Sequence, residues 1–277
     1  MNASTFLLAA ALSLPALRAA AQTLVAGPDA PAPGGAYLTA AQPAAGPVTY
    51  FGVVNSQDAR HAQFGQLRQV FDTLRPTLVV VEKPDLGGAE TEAATIATKG
   101  VPGYTRLLAQ QRQIPTERLD DPEAEYAYLR TKIEPAQLKL YYLLREARRF
   151  QLHTGADKAL TIKHVRQLIA QSATFLPGTE NTIRSVGELA AAYHHYCPGG
   201  GQWWDAPTAY FSPQAAVALY PSGSLAHTLG SAISAYRAQY VYGPLAARAQ
   251  AGERILVVMS CDQQPAPTAA TGEVAVK

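Results

Sequence analysis

The spacing of apolar residues between positions 48 and 84 predicts a strand, a helix and a second strand. Residues 48–55 form a β-rich run that ends in Asn55, and residues 77–82 are apolar until Glu82. The segment between them carries apolar residues at helical spacing, namely Phe64, Leu67, Val70, Phe71 and Leu74. This order forms a right-handed unit with parallel strands. Because ligands of open α/β sheets bind at the carboxyl ends of the strands, we expect Asn55 and Glu82 to face one crevice.

The rest of the chain is predicted to be mostly helical before a final strand. Helices are predicted to begin near residues 90, 104, 121, 135, 159, 182 and 224. The helix that begins at Pro135 is expected to end near Phe150, and residues 114–119 and 255–259 are predicted strands. The fold class is therefore α/β, with a central, mainly parallel sheet flanked by helices and a large helical insertion between the second and last core strands. The strands ending at Asn55, Glu82 and Met259 are expected to be neighbours.

Both ends of the chain have compositions that differ from the middle. Residues 1–21 contain an apolar run followed by an A-x-A cleavage pattern, which predicts a secretory signal peptide. An N-terminal core helix is the alternative. Residues 22–46 are rich in Ala, Pro and Gly and are expected to be a disordered linker. We therefore expect a single α/β domain over residues 47–263, a flexible tail over residues 264–277, and export to a periplasmic or extracellular location.

Composition and charge narrow the class of protein. The 277 residues are 48% hydrophobic and 16% charged, which is typical of a globular chain. The net charge of +2 is spread along the sequence, so we expect neither nucleic-acid binding nor a stable membrane anchor. After export, Cys197 and Cys261 could form a disulfide, and two free thiols are the alternative. The oligomeric state stays open.

Four motifs, taken in order, point to a family. They are Gly52-Val-Val-Asn55, residues 75–82 ending in Glu82, a helix that carries Arg237, and residues 252–259 before a last strand end. Their order and spacing resemble the TraB/GumN and Tiki group of the erythromycin-esterase-like and ChaN-like superfamily, over about residues 48–263. The resemblance implies an exported α/β protein with a hydrolase-like crevice at the strand ends.

The chain departs from this group at both of its histidine positions. Asn55 stands where the group's first G-x-x-H motif has histidine, and the second motif reads Ser260-Cys-Asp-Gln263. The resemblance implies that those histidines are metal ligands or acid/base groups. Amides do not exchange protons near pH 7 and bind transition metals poorly beside imidazole. We therefore expect no tightly bound cofactor; the alternative is a divalent metal such as Mn, Co or Zn.

Glu82 and Arg237 are the candidate catalytic residues that the resemblance retains. A carboxylate at the end of an apolar strand is costly to desolvate without a partner. We expect Arg237 to be that partner, because its planar guanidinium can hold a carboxylate through two hydrogen bonds. The alternative is a Glu82 that is solvated or salt-bridged and has no functional role.

Other residues could line the same crevice. Asp58 and His61 follow Asn55, while Ser260, Asp262 and Gln263 lie at the end of the last strand. The alternative for the first two is structural, with Asp58 as the helix cap and His61 as a surface residue of the first turn.

Two functions remain open at this stage. The first is an exported TraB/GumN-like protein with a degenerate active site, which binds a small molecule or peptide in the crevice. The second is an active hydrolase, a metal-assisted peptidase or esterase-like enzyme, which uses Glu82 with Asp58, His61 or Asp262 as substituted ligands. Two or more of these three side chains within ligand distance of Glu82 would favour the hydrolase.

Overall fold

The computed structural model describes residues 38–40, 48–82, 91–119 and 121–265, with the backbone alone at residues 38–40 and 262. The predicted signal peptide, most of the predicted linker and residues 266–277 lie outside the described residues. Within these ranges, no helix combines the length and the apolar character needed to cross a membrane.

A five-stranded sheet forms the centre of the fold. Its strands are β1 (Leu38–Ala40), β2 (Val48–Val53), β3 (Leu78–Val81), β4 (Thr116–Arg118) and β5 (Ile255–Ser260). Their order is β1-β2-β5-β3-β4, and all neighbours are parallel except β1 and β2. The predicted α/β fold is confirmed, because the three core strands are neighbours with β5 between β2 and β3.

The first strand corrects the expectation of an unstructured linker over residues 22–46. Leu38–Ala40 pairs with β2, and Leu38 lies opposite Phe51 in the register. A three-residue strand has too little pattern to be recognised in the sequence. It forms because the outer edge of β2 offers unpaired backbone groups to an adjacent segment.

Both faces of the sheet are buried, which explains the uninterrupted apolar runs of β3 and β5. One face packs against helices α1 (Ala62–Leu74) and α2 (Glu92–Gln111) through Val79, Val81, Leu256 and Val258. The opposite face packs against α9 (Gly243–Gln250) and the residues before it. Its side chains include Leu78, Val80, Ile255 and Val257, together with Tyr236, Tyr242 and Leu245.

Helices between β4 and β5 form the predicted insertion, with a second apolar core. They are α3 (Pro122–Arg130), α4 (Pro135–Thr154), α5 (Lys158–Phe175), α6 (Val186–Tyr196), α7 (Pro213–Leu219) and α8 (Leu225–Arg237). A π-helical turn, Ala238–Tyr242, joins α8 to α9, which begins with Gly243 and Pro244. Fully buried leucines of α4, α6 and α8 and Trp203 form this core. The insertion is thus a helical layer that continues directly into the sheet.

Helix α2 consists of two helical segments that meet at a kink, and they correspond to the two helical pieces that the sequence predicts, extended towards each other. It kinks at Gly100, whose φ of 59° and ψ of −152° lie outside the helical region. Pro102 follows at the start of the second half, where a missing backbone N–H costs no intrahelical hydrogen bond. The kink turns the second half of α2 so that Val101 and Pro102 reach the carboxyl edge of the sheet.

Candidate functional site

Three of the predicted crevice residues line one cavity at the carboxyl edge of the parallel strands. Asn55 follows β2, Glu82 follows β3 and Ser260 ends β5. The cavity, which we call the crevice, has a volume of about 190 Å³. Its other lining residues are Val53, Val54, Val81, Val101, Pro102, His153, Val258 and Met259. The crevice therefore combines apolar walls with a small polar group at the strand ends.

Glu82 is held by the neighbouring strand rather than by an arginine. Its Oε2 accepts a hydrogen bond from the backbone N–H of Ser260 at 2.8 Å, and its own N–H donates to the carbonyl of Val258 at 3.2 Å. In the described part of the chain, no cation pairs with this carboxylate, and Oε1 has no hydrogen-bond partner. The prediction of a Glu82–Arg237 pair is therefore wrong, and an acceptor oxygen of Glu82 remains available in the crevice.

Arg237 instead pairs with an acidic residue of the helical insertion. Its Nε lies 3.3 Å from Oε2 of Glu125 in α3, with side chains only 12% and 8% exposed. Its Nη1 donates to the side-chain oxygen of Gln263, which follows β5. Burial raises the pKa of the nearby Tyr141, and its hydroxyl stays protonated. Arg237 and Gln263 thus contact each other but do not line the crevice, because the 3₁₀ turn after β5 directs Gln263 towards α8.

His153 also lines the crevice, although no sequence motif pointed to it. Its Nδ1 lies 3.4 Å from Nδ2 of Asn55, and it stands in the last turn of α4. Ending this helix near Phe150 was wrong, because α4 continues to Thr154 and is capped by Gly155 at a φ of 66°. A glycine after a helical pattern is a common cap. Gly155 was therefore the signal that would have placed His153 on the helix.

Two glutamine side chains fix the segment that carries Asn55. Gln63 is 1% exposed and hydrogen-bonds both the N–H and the carbonyl of Val54 at 3.1 Å. Gln264 donates to the carbonyl of Tyr50 at 3.3 Å and packs on Gly52, where a Cβ would lie 2.6 Å from Gln264 Oε1. The predicted flexible tail is therefore wrong at Gln264, because its buried amide anchors the chain beyond β5.

Asp58 and His61 lie outside the crevice. The Asp58 carboxylate accepts from the backbone N–H of Arg60 at 3.0 Å and from its Nε at 3.1 Å, and these hydrogen bonds lower the pKa of Asp58. His61 caps α1, with Nδ1 accepting from the N–H of Gln63 at 3.3 Å. The interpretation of Asp58 as the cap is wrong, because residues 59–60 form a turn and the helix begins at Ala62.

The structure does not place enough ligands near Glu82 to favour the hydrolase. That function required at least two of Asp58, His61 and Asp262 close to Glu82. Asp58 instead binds Arg60, and His61 caps α1. The side chain of Asp262 lies outside the described residues. Among the side chains that the structure does describe, no three His, Cys, Asp or Glu residues form a possible metal site. The expectation of no tightly bound metal stays a prediction.

No disulfide joins Cys197 and Cys261, so the disulfide alternative is wrong. Cys197 is buried at the end of α6, and Cys261 is partly buried in the turn after β5. Burial raises the pKa of Cys197 to about 11, although a hydrogen bond with Tyr210 opposes this effect. Cys197 belongs to the core of the helical insertion, which separates it from the sheet edge that carries Cys261.

Fold and crevice together define an α/β protein with the carboxylate of Glu82 among apolar walls at the carboxyl ends of its parallel strands. Comparisons of the chain with protein-family models, curated proteins and solved structures found no match. The resemblance to the TraB/GumN group thus depends on the order of the sequence motifs alone.

Proposed function

We propose that this chain is an exported TraB/GumN-like protein whose crevice binds a small molecule or one end of a peptide. The observation that supports the proposal is the convergence of Asn55, Glu82, Ser260 and His153 on one cavity. Such convergence at the carboxyl edge of parallel strands is typical of ligand sites in open α/β sheets.

The chemistry of the crevice suits a small ligand with hydrogen-bond donors. Glu82 offers a carboxylate oxygen, and the amide of Asn55 and the imidazole of His153 lie beside it. Sites for drug-sized ligands have volumes of roughly 300–1,000 Å³. At about 190 Å³, the crevice fits a smaller molecule or a terminal group of a longer one. The apolar walls of the crevice favour a ligand that carries an aliphatic portion next to its hydrogen-bond donors.

The hydrolase alternative has less support. A general base acts within hydrogen-bond reach of the proton that it removes, and a nucleophile needs a base oriented beside it. Among the described residues, Glu82 is the acidic side chain that lines the crevice, and neither Asp58 nor His61 accompanies it. A binding function needs only the hydrogen-bonding groups and the apolar walls.

A fragment screen by ligand-observed NMR tests the proposal. Asn55 is exposed at the mouth of the crevice, so Asn55→Trp should block entry without disturbing the core. Asn181→Trp is the matched control, because Asn181 is an exposed residue of a turn in the helical insertion. We expect small fragments to bind the wild type and the control but not Asn55→Trp. Equal binding to all three proteins would overturn the proposal.

Metal analysis separates the two functions. Protein purified without added metal is expected to contain no stoichiometric Mn, Co or Zn, because Asn55 and Gln263 replace imidazoles. Stoichiometric metal, together with hydrolysis that Glu82→Gln abolishes, would establish the hydrolase instead.

A further inference from the structure

A second concave surface lies at the opposite, amino edge of the sheet. It is lined by Phe71, Asp72, Arg75, Pro76, Arg112, Ile114 and Arg254, and we call it the arginine groove. Its volume is about 490 Å³. The residues come from the segments that enter β3, β4 and β5, so the groove lies across the sheet from the crevice.

The backbone around the groove is fixed by hydrogen bonds between neighbouring strands. Thr77 N–H donates to the carbonyl of Arg254 at 2.8 Å, and Arg254 N–H donates to Oγ1 of Thr77 at 2.9 Å. The Nε of Arg254 also donates to the carbonyl of Arg75 at 2.8 Å. These hydrogen bonds fix the backbone at Arg75 and the Nε of Arg254 before any ligand arrives.

The charges in the groove do not cancel. Arg112 pairs with Asp72 at 2.6 Å and lies 5.4 Å from the ring centre of Phe71, so this arginine is already compensated. Arg75 and Arg254 are exposed, and no carboxylate of the described residues pairs with either. The terminal nitrogens of both guanidinium groups are therefore available as charged donors.

Arg75 also occupies an unfavourable backbone conformation. It caps α1 in the left-handed region, with φ 46° and ψ 62°. Glycine or asparagine usually fills this position, because a larger side chain is sterically disfavoured there. Strained residues of this kind concentrate at functional sites. Glycine would cap this helix with less strain, so we attribute the presence of arginine at position 75 to a function of its side chain.

We infer that the arginine groove binds a small oxyanion with two negative charges, namely phosphate or the phosphate group of a small monoester. Guanidinium forks bind the oxygens of such groups through paired, charge-assisted hydrogen bonds. Two uncompensated arginines match two negative charges, whereas a single carboxylate would satisfy only one fork. This site is independent of the crevice, so its test does not depend on the proposed function.

Thermal unfolding at constant ionic strength, with phosphate, sulfate, acetate or chloride, tests the inference. We expect about 10 mM phosphate to raise Tm by about 3 °C, as for a Kd of about 1 mM, sulfate to raise it as a second dianion, and acetate and chloride to leave it unchanged. Titration calorimetry with inorganic phosphate and with a phosphomonoester then distinguishes a free anion from an ester. Equal shifts with acetate and phosphate would overturn the inference, since they would show general screening.

Variants of the groove separate binding from stability. Arg75→Gly removes one guanidinium and also relieves the left-handed strain, so we expect its Tm without phosphate to be no lower than that of the wild type. Its phosphate shift should disappear, as should that of Arg254→Gln. Arg149→Gln is the control, since Arg149 is 68% exposed on α4 and should keep the full shift. A full phosphate shift in both groove variants would overturn the inference.

Discussion

Two glutamates of this chain illustrate how surroundings determine the role of an acidic side chain. Glu82 faces the crevice and accepts one backbone hydrogen bond at 2.8 Å. Glu125 is almost fully buried and paired with Arg237 at 3.3 Å. The first carboxylate is available to a ligand, whereas the second compensates a buried charge. The resemblance drew attention to Glu82 and Arg237, and Glu125 had no motif that would have revealed it.

The buried pair leads to a prediction about stability. Glu125→Gln and Arg237→Met should each lower the free energy of unfolding by about 3–5 kcal/mol, because each leaves the partner charge buried. The double variant should lose less than the sum of the two losses. Urea melts of the three proteins measure these terms, with Glu82→Gln as a control that should cost about 1–2 kcal/mol through its weakened hydrogen bond to Ser260. Additive losses would contradict the pairing.

Thiol labelling tests the environment of Cys197. Burial raises its pKa to about 11, so only about one molecule in a thousand carries the thiolate near pH 8. We expect the native protein to react quickly at one thiol, the partly exposed Cys261, and at both thiols only after denaturation. Cys261→Ala should remove the fast phase and Cys197→Ala should keep it. A fast phase that survives in Cys261→Ala would show that Cys197 is accessible.

At the scale of elements, apolar runs predicted the core strands and most helix starts, because these depend on local patterns. The elements that were missed depend on distant contacts or on backbone exceptions. Strand β1 exists through its pairing with β2, and the direct junction between the two halves of α2 depends on the backbone conformation of Gly100, which most residues avoid. Asn55, Glu82 and Ser260 could be predicted as neighbours because they follow adjacent parallel strands. The hydrogen bond of Glu82 to the backbone of Ser260 could not be predicted, because the geometry of the turns after the strands determines where each side chain points.

The kink in α2 gives a prediction at this scale. Gly100→Ala should lower the free energy of unfolding by about 1–2 kcal/mol, because alanine is disfavoured at positive φ. Its Cβ would also lie 3.3 Å from the carbonyl of Ser56. Gly65→Ala is the matched control: a Cβ at this exposed position of α1 would have no neighbouring atom within 4 Å, and alanine should stabilise the helix by about 0.5–1 kcal/mol. Thermal or urea melts that show the same sign for both variants would contradict this explanation.

At the scale of the whole molecule, tyrosines occur throughout both cores. Tyr50 packs edge-to-face with Tyr242 beside the sheet, and Tyr126 with Tyr142 in the helical insertion. Tyr128 lies against Tyr236 and therefore contacts both layers. Burial raises the pKa of Tyr50, Tyr126 and Tyr142. At alkaline pH, these hydroxyls therefore stay protonated in the folded chain, although the same hydroxyls would be ionised in the unfolded chain.

Alkaline pH should therefore destabilise the fold. Above about pH 10 the unfolded chain loses tyrosine protons that the folded chain keeps, so the free energy of unfolding falls as pH rises. By pH 11 the loss should be roughly 1 kcal/mol for each buried tyrosine. Tyr196, whose hydrogen bond to Glu134 raises its pKa to about 12, should follow the same direction. Urea melts at rising pH measure the loss of stability, and tyrosinate absorbance measures the ionisation of the tyrosines in the folded protein. If all tyrosines of the folded protein ionised near pH 10, this prediction would be contradicted.

The position of β5 in the sheet has a consequence for how the chain folds during synthesis. This strand lies between β2 and β3. Its last residue, Ser260, donates a hydrogen bond to Glu82, which directly follows β3 and lies 178 positions earlier in the chain. Until β5 leaves the ribosome, β2 and β3 cannot be joined, while the helical insertion already has its own apolar core. Unpaired apolar strands in a nascent chain are prone to aggregate. We therefore expect the growing polypeptide to need chaperones most during the long interval between the synthesis of Val81 and that of Ser260.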